Sequence, residues 1–326
     1  MIHARIIGTG HYLPEKVVTN HDLEKIMDTT DEWIRQRTGI LQRHIAADDE
    51  AASDLGVHAA NRAIESACID ADDIDYVICA TFSPDHAIPS TACLIQDRIG
   101  ATKAGAVDLN AACSGFIYAL EVADAFIRAG VHETILVVAS EVLSAHLDWT
   151  QRNTAILFGD GAGAVIVRAE EGEHGILSTF TASDGSAGDI LAIPAGGSRL
   201  VVTPENIDEV DRSFSMNGPE LYKRAIKAFG EGTERALAKV GLSAESIDLF
   251  VPHQANKRII DAAVGRIGLP EEKIYMNLDK VANTSAASIP IALDQALIEG
   301  RLKDEDLVLL AAFGAGLTWA SAMVRW

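Results

Sequence analysis

Apolar residues recur along this chain in two alternating rhythms. Tyr76 to Ala80, Thr134 to Ala139, Leu249 to Val251 and Leu307 to Leu310 are short, nearly continuous apolar runs, the pattern of strands buried on both faces. Between such runs the spacing turns helical: in Ser114 to Ala129 the residues Phe116, Ile117, Leu120, Ala123, Phe126 and Ile127 cover one broad face, and Gly130 ends it. Val107 to Asn110, Ala164 to Val167 and Lys273 to Leu278 read as further strands. Strands alternating with helices predict an α/β protein with buried sheets. Leu307 to Val324 carries no charge over 18 residues, the minimum for a membrane span, but Gly314 and Gly316 divide it into strand, turn and strand.

The pattern repeats. Arg62-Ala63-Ile64 matches Arg235-Ala236-Leu237, and Ala71-Asp72-Asp73-Ile74-Asp75 matches Ala244-Glu245-Ser246-Ile247-Asp248, at one offset of 173 positions. The strand from Thr134 finds its partner in Asp306 to Phe313, about 172 positions on. Two duplicated halves are expected, residues 1–171 and 172–326, joined near the acidic run Glu170-Glu171-Gly172-Glu173. Asp184 to Met216, rich in glycine, reads as an irregular excursion that either lines a pocket or merely connects.

Composition narrows the function. With 326 residues, 48% of them hydrophobic and 23% charged, the chain can bury a large core. A formal net charge of -20 opposes binding to nucleic acid or anionic membranes, so any polyanionic partner needs a local basic patch. Cys68, Cys79, Cys93 and Cys113 form neither a disulfide framework nor a zinc motif, and the N-terminal residues lack a signal-peptide pattern. A cytoplasmic protein without a metal is the expectation.

Three residues stand where chemistry is possible. Cys113 follows a strand and opens a helix, where unpaired N–H groups and the helix dipole favour thiolate; a buried structural cysteine is the alternative. His253 lies just past the strand Leu249 to Val251, at the end of a sheet where ligands bind, although a lone loop histidine is often only solvated. Asn283 lies between a strand and a helix-like run and could equally be a capping residue. Phe158-Gly159-Asp160-Gly161-Ala162-Gly163 precedes a strand, so it reads as a tight turn and not a dinucleotide fingerprint.

Taken together, Asp31-Glu32-Trp33-Ile34 with Arg37-Thr38-Gly39-Ile40, Ala111-Ala112-Cys113-Ser114-Gly115-Phe116, Phe158 to Ala164, His253-Gln254-Ala255-Asn256, Asn283-Thr284-Ser285 and Phe313 to Trp319 resemble, in order and over the whole chain, the ketoacyl-acyl-carrier-protein synthase III group of the thiolase superfamily. The resemblance implies the thiolase fold, two halves each with a mixed sheet, layered α-β-α-β-α. It implies a decarboxylative Claisen condensation that initiates fatty acid synthesis: an acyl group moves from coenzyme A to Cys113, and malonyl-acyl-carrier protein loses carbon dioxide and attacks it. His253 and Asn283 then donate to the enolate oxygen, and the backbone N–H groups of Cys113 and Ala315 form the oxyanion hole. Chain-elongating synthases carry two histidines and thiolases a second cysteine, so Asn283 argues against both.

The same resemblance places coenzyme A against Trp33, Arg37, Arg152 and Asn256, although Trp33 could otherwise be a surface or core aromatic. It gives an acyl pocket formed by Ile88, Leu143, Leu157, Met216 and Phe313, and carrier-protein contacts at Lys223, Arg224, Gln254, Lys257, Arg258 and Arg266, with Lys227 nearby. A solvated helix face of mixed charge is the alternative, because Glu220, Glu231 and Glu234 lie nearby. Ile88 replaces a bulky aromatic of acetyl-using members, and the pocket floor comes from the other subunit of a homodimer, so longer or branched starters are expected. No cofactor beyond the coenzyme A thioester is implied. The competing readings are a secondary-metabolism condensing or acyl-transfer enzyme of the same fold, a cysteine hydrolase, and a noncatalytic acyl-binding subunit.

Overall fold

The computed structural model describes residues 2–326. Residues 2–171 build a five-stranded sheet from β1 (Ile2–Tyr12), β2 (Tyr76–Ala80), β3 (Gly105–Leu109), β4 (Thr134–Glu141) and β5 (Gly161–Glu171), in the spatial order β1-β5-β4-β2-β3. β2 runs parallel to β3 and β4, whereas β5 is antiparallel to β4 and β1. Residues 175–325 build a four-stranded sheet from β6 (Gly175–Ser183), β7 (Leu249–Pro252), β8 (Leu307–Gly314) and β9 (Thr318–Arg325), in the order β7-β8-β9-β6. Here β7 and β8 are parallel and the other pairs antiparallel. The expected α/β class with mixed sheets is present.

Helices α1 (Ala52–Ala67), α2 (Gly115–Arg128), α3 (Gly218–Val240), α4 (Lys257–Ile267) and α5 (Ser288–Ile298) complete the layers. α2 and α5 lie between the sheets, where Phe116, Ile117, Leu120, Ile289 and Leu293 share one core with Val137 of β4 and Leu310 of β8. α1 covers the outer face of the first sheet, and α3 and α4 cover that of the second. Burying both faces explains why the strands read as unbroken apolar runs; all eight residues of β4 are buried. Packing is closest where glycine permits it: a Cβ on Gly163 would lie 2.7 Å from the Ile291 nitrogen, so α5 rests directly on β5.

Three expectations shift. The ladder of β3 stops at Leu109, because the Asn110 side chain turns back to accept the Ala112 N–H at 3.2 Å. The helix expected from Ser114 begins at Gly115, after a 3-10 turn, Ala112–Ser114, that contains Cys113. Lys273 to Leu278 forms no strand: after a bridge between Phe250 and Ile274, the Gln254 side chain takes over as the partner of the Asn277 N–H. The uncharged C-terminal stretch is β8, a turn and β9, and among the described residues no helix is long and apolar enough to cross a membrane.

Candidate active site

Cys113 and His253 lie on turns that meet β8, and Asn283 leads into the Ser285–Ala287 turn that packs against the turn holding Cys113. Ala112, with φ of 47°, turns the chain sharply out of β3, and Gly314 lies so close behind that a Cβ there would be 2.7 Å from the Cys113 nitrogen. His253 is the first residue past β7 and donates its N–H to the Ala311 carbonyl of β8 at 2.8 Å. Asn283 is pinned by backbone bonds to Leu157 and Gly159, and its Oδ1 accepts the Ser285 N–H at 2.9 Å. The turn holding Cys113 packs against Ser285–Ala287 and against β8. Ala112, Ala282 and Ser285, three of the five non-glycine residues with positive φ among those described, lie on these turns, and such strain persists where surrounding structure fixes it.

A cavity of about 680 Å³ reaches Cys113, lined by Phe82, His146, Phe158, Phe214, Ser285 and Ala315 among others. The glycine-rich excursion lines a pocket: Leu191, Ile193, Ala195, Gly196 and Phe214 are in its wall. A second cavity of about 540 Å³ shares Phe158 and Leu191 with the first and opens between Arg37, Met216, Tyr222, Lys223, Asn256 and Arg258, with Asn283 on its wall. At the surface the Arg152 guanidinium covers the Trp33 ring at 4.3 Å, and Arg37 approaches the same ring at 5.7 Å. The Asn256 side chain donates to the Arg37 carbonyl and caps α4.

Burial sets the protonation states. It pushes the Cys113 thiol up to about 12, although the Ser285 hydroxyl acts in the opposite direction. The expectation of a resting thiolate is therefore corrected, because desolvation outweighs the helix end. His253, 1% exposed, is driven down to about 3 by burial, so its ring is neutral. Its Nδ1 lies 2.7 Å from Ser288 Oγ.

Several expected contacts are relocated. Gln254 is fully buried, its amide bonded to the Pro252 and Tyr275 carbonyls and the Asn277 N–H, so it offers a carrier protein nothing. Arg266 sits in a separate depression with Glu234, Leu237 and Leu242, away from the cavity mouth. Arg224 is committed to Glu220 and Asp184, and Lys257 to Asp261. Leu157 and Met216 do line the mouth, and Leu143 packs beside them with Phe158 and Phe214. Phe313 instead joins the outer core of the second sheet, because its side chain leaves β8 on the face opposite the central helices. Ile88 is 87% exposed and does not reach either cavity of its own chain.

Sequence reasoning missed Ser288, Ser285 and Glu141. Glu141 is wholly buried at the end of β4 and accepts from Thr81, Phe82 and Ser83, while burial raises it to about 7. A carboxylate at the end of an otherwise apolar strand was the available signal.

The model of the 3-oxoacyl-[acyl-carrier-protein] synthase III family matches residues 107–185, and that of its C-terminal part matches residues 237–326. A beta-ketoacyl-[acyl-carrier-protein] synthase III of Caldanaerobacter subterraneus subsp. tengcongensis is 48% identical over 325 residues, covering 100% of this chain and 98% of the relative. The chain belongs to the 3-oxoacyl-acyl-carrier-protein synthase III family. The crystal structure of the synthase III from Aquifex aeolicus VF5 superposes with a TM-score of 0.92 at 44% identity, covering 99% of this chain and all of that one. The priming beta-ketosynthase of the R1128 polyketide pathway superposes with a TM-score of 0.94 at 34% identity over 99% of this chain and 96% of its own. The chain therefore has the thiolase fold, and it is a condensing acyltransferase of the kind that initiates fatty acid synthesis.

Proposed function

We propose that the chain condenses an acyl group taken from a coenzyme A thioester with malonyl-acyl-carrier protein, using Cys113, His253 and Asn283. The observation that carries this reading is the pair of buried neutral groups: the Cys113 thiol, held protonated near 12 on the wall of an apolar cavity, and the His253 imidazole, held uncharged near 3 just past β7. In the first half-reaction the Cys113 sulfur bonds to the acyl carbon, the carbon–sulfur bond to coenzyme A breaks, and the thiol proton ends on the departing coenzyme A sulfur. In the second, the malonyl carboxylate leaves as carbon dioxide, the resulting carbanion bonds to the acyl carbon, and the bond from that carbon to the Cys113 sulfur breaks to leave the thiolate. One proton from solvent then restores the thiol. The transient enolate needs donors at its oxygen, not a strong base, which a neutral imidazole and the Asn283 amide supply. The N–H groups of Cys113 and Ala315 serve the tetrahedral intermediate.

Trp33, Arg37, Arg152 and Asn256 receive the coenzyme. Since Arg152 covers the indole, a flat adenine takes its place on Trp33 by drawing the guanidinium outward. Lys223 and Arg258 border the mouth, with Arg258 set 5.9 Å above the Tyr222 ring, and form the basic rim for an acidic carrier protein. The exposed Ile88 fits a homodimer in which each chain closes the acyl pocket of the other. No metal or redox cofactor enters this cytoplasmic reaction. Intact mass after mixing with acetyl-, butyryl- and isobutyryl-coenzyme A tests the reading: one acyl adduct per chain is expected, absent in Cys113→Ala, with the four-carbon starters also accepted. Absence of any adduct on the unmodified chain refutes it.

A further inference from the structure

His253 can donate to the enolate only if its proton sits on Nε2, and burial alone does not choose between the two neutral forms of the ring. The choice is made behind the ring, at the first residue of α5. Ser288 Oγ, fully buried, lies 2.7 Å from His253 Nδ1, and the Gln254 N–H points at the same oxygen from 3.4 Å. A hydroxyl that accepts from a backbone N–H has its own proton free, and among the described residues His253 Nδ1 is the one acceptor within reach of Ser288 Oγ. We infer that Ser288 is a positioning residue for the condensation: it donates to His253 Nδ1 and so fixes the ring proton on Nε2. The N-terminus of α5 at the same place further disfavours a charged ring. The inference rests on the catalytic role proposed for His253.

The direct test is independent of turnover. Nitrogen NMR of the wild-type protein labelled at histidine nitrogen should show His253 with a protonated Nε2 and a bare Nδ1; the reverse assignment overturns the inference. Ser288→Ala frees Nδ1 to take the proton. Its malonyl decarboxylation and condensation should fall by about 10², while acylation of Cys113 by acyl-coenzyme A stays within a fewfold. Ser288→Thr, which keeps the hydroxyl, should restore most of the lost rate and the wild-type tautomer. Unchanged condensation in a folded Ser288→Ala protein counts against Ser288. Failure of the wild type to acylate Cys113 sinks the catalytic reading instead, whatever tautomer is seen.

Discussion

The ends of β2 and β7 occupy the same place in the two sheets and do opposite things. Ala80 pairs with Ala139 in the first sheet and Pro252 with Ala311 in the second, both pairs related by the same 172 positions, so Thr81 and His253 are counterparts. In the first half Thr81 and Ser83 hydroxyls and two N–H groups of the tip bind the Glu141 carboxylate, which also faces Ser285. In the second, Phe313 stands at the position of Glu141 and turns into the core, leaving His253 neutral with only Ser288 at its Nδ1. Burial moves both groups toward neutrality, Glu141 up and His253 down. The lesson is that the same backbone tip is bound up by a carboxylate in one sheet and carries a buried imidazole with a single hydroxyl partner in the other.

Removing the side chains at the two tips should break the symmetry most clearly. His253→Ala or Asn283→Ala is expected to lower condensation by about 10² to 10³, whereas Thr81→Ala should leave it within a fewfold. Rates from malonyl- and acyl-carrier-protein assays check this; a comparable loss in Thr81→Ala would dissolve the distinction.

A smaller effect appears in stability against pH, with opposite signs at the two tips. Glu141 titrates near 7 in the folded protein and lower when unfolded, so the folded form holds a proton that the unfolded form has released. Its contribution therefore declines as pH rises from about 5 to about 7, by at most about 1.4 kcal/mol per pH unit. His253 is held below its unfolded value, so its contribution is complete above about 6.5 and is lost as pH falls toward 3. Denaturant midpoints should show wild type losing ground to Glu141→Gln as pH rises and to His253→Asn as pH falls. Parallel slopes would mean that burial does not govern both groups.

The smallest change is expected at the rim, outside both tips. Arg258→Glu should raise KM for the carrier-protein substrate severalfold at low salt, leave Cys113 acylation nearly untouched, and lose its effect as salt rises. An equal effect on the acyl-coenzyme A step would argue that Arg258 serves the coenzyme and not the carrier protein.

What the residues alone disclosed was uneven across the molecule. Strands β2, β4, β7 and β8 were legible because burial on both faces leaves an unbroken apolar run, and α2 because one face must meet a core. The strand expected at Lys273 was not, since a side-chain amide from Gln254 replaced a backbone ladder and no local pattern announces that. Gln254 itself, in a polar run beside His253, read as a surface contact until its carbonyl partners were seen.

The sequence thus determined the class, the alternation of elements and the identity of the three candidate side chains, because periodicity and residue chemistry are local properties. Only the tertiary structure decided their charge states and their neighbours. Desolvation depends on everything packed around a group, and that packing holds Cys113 as a thiol, empties the His253 ring of charge and sets Ser288 behind it, 35 residues away in the chain.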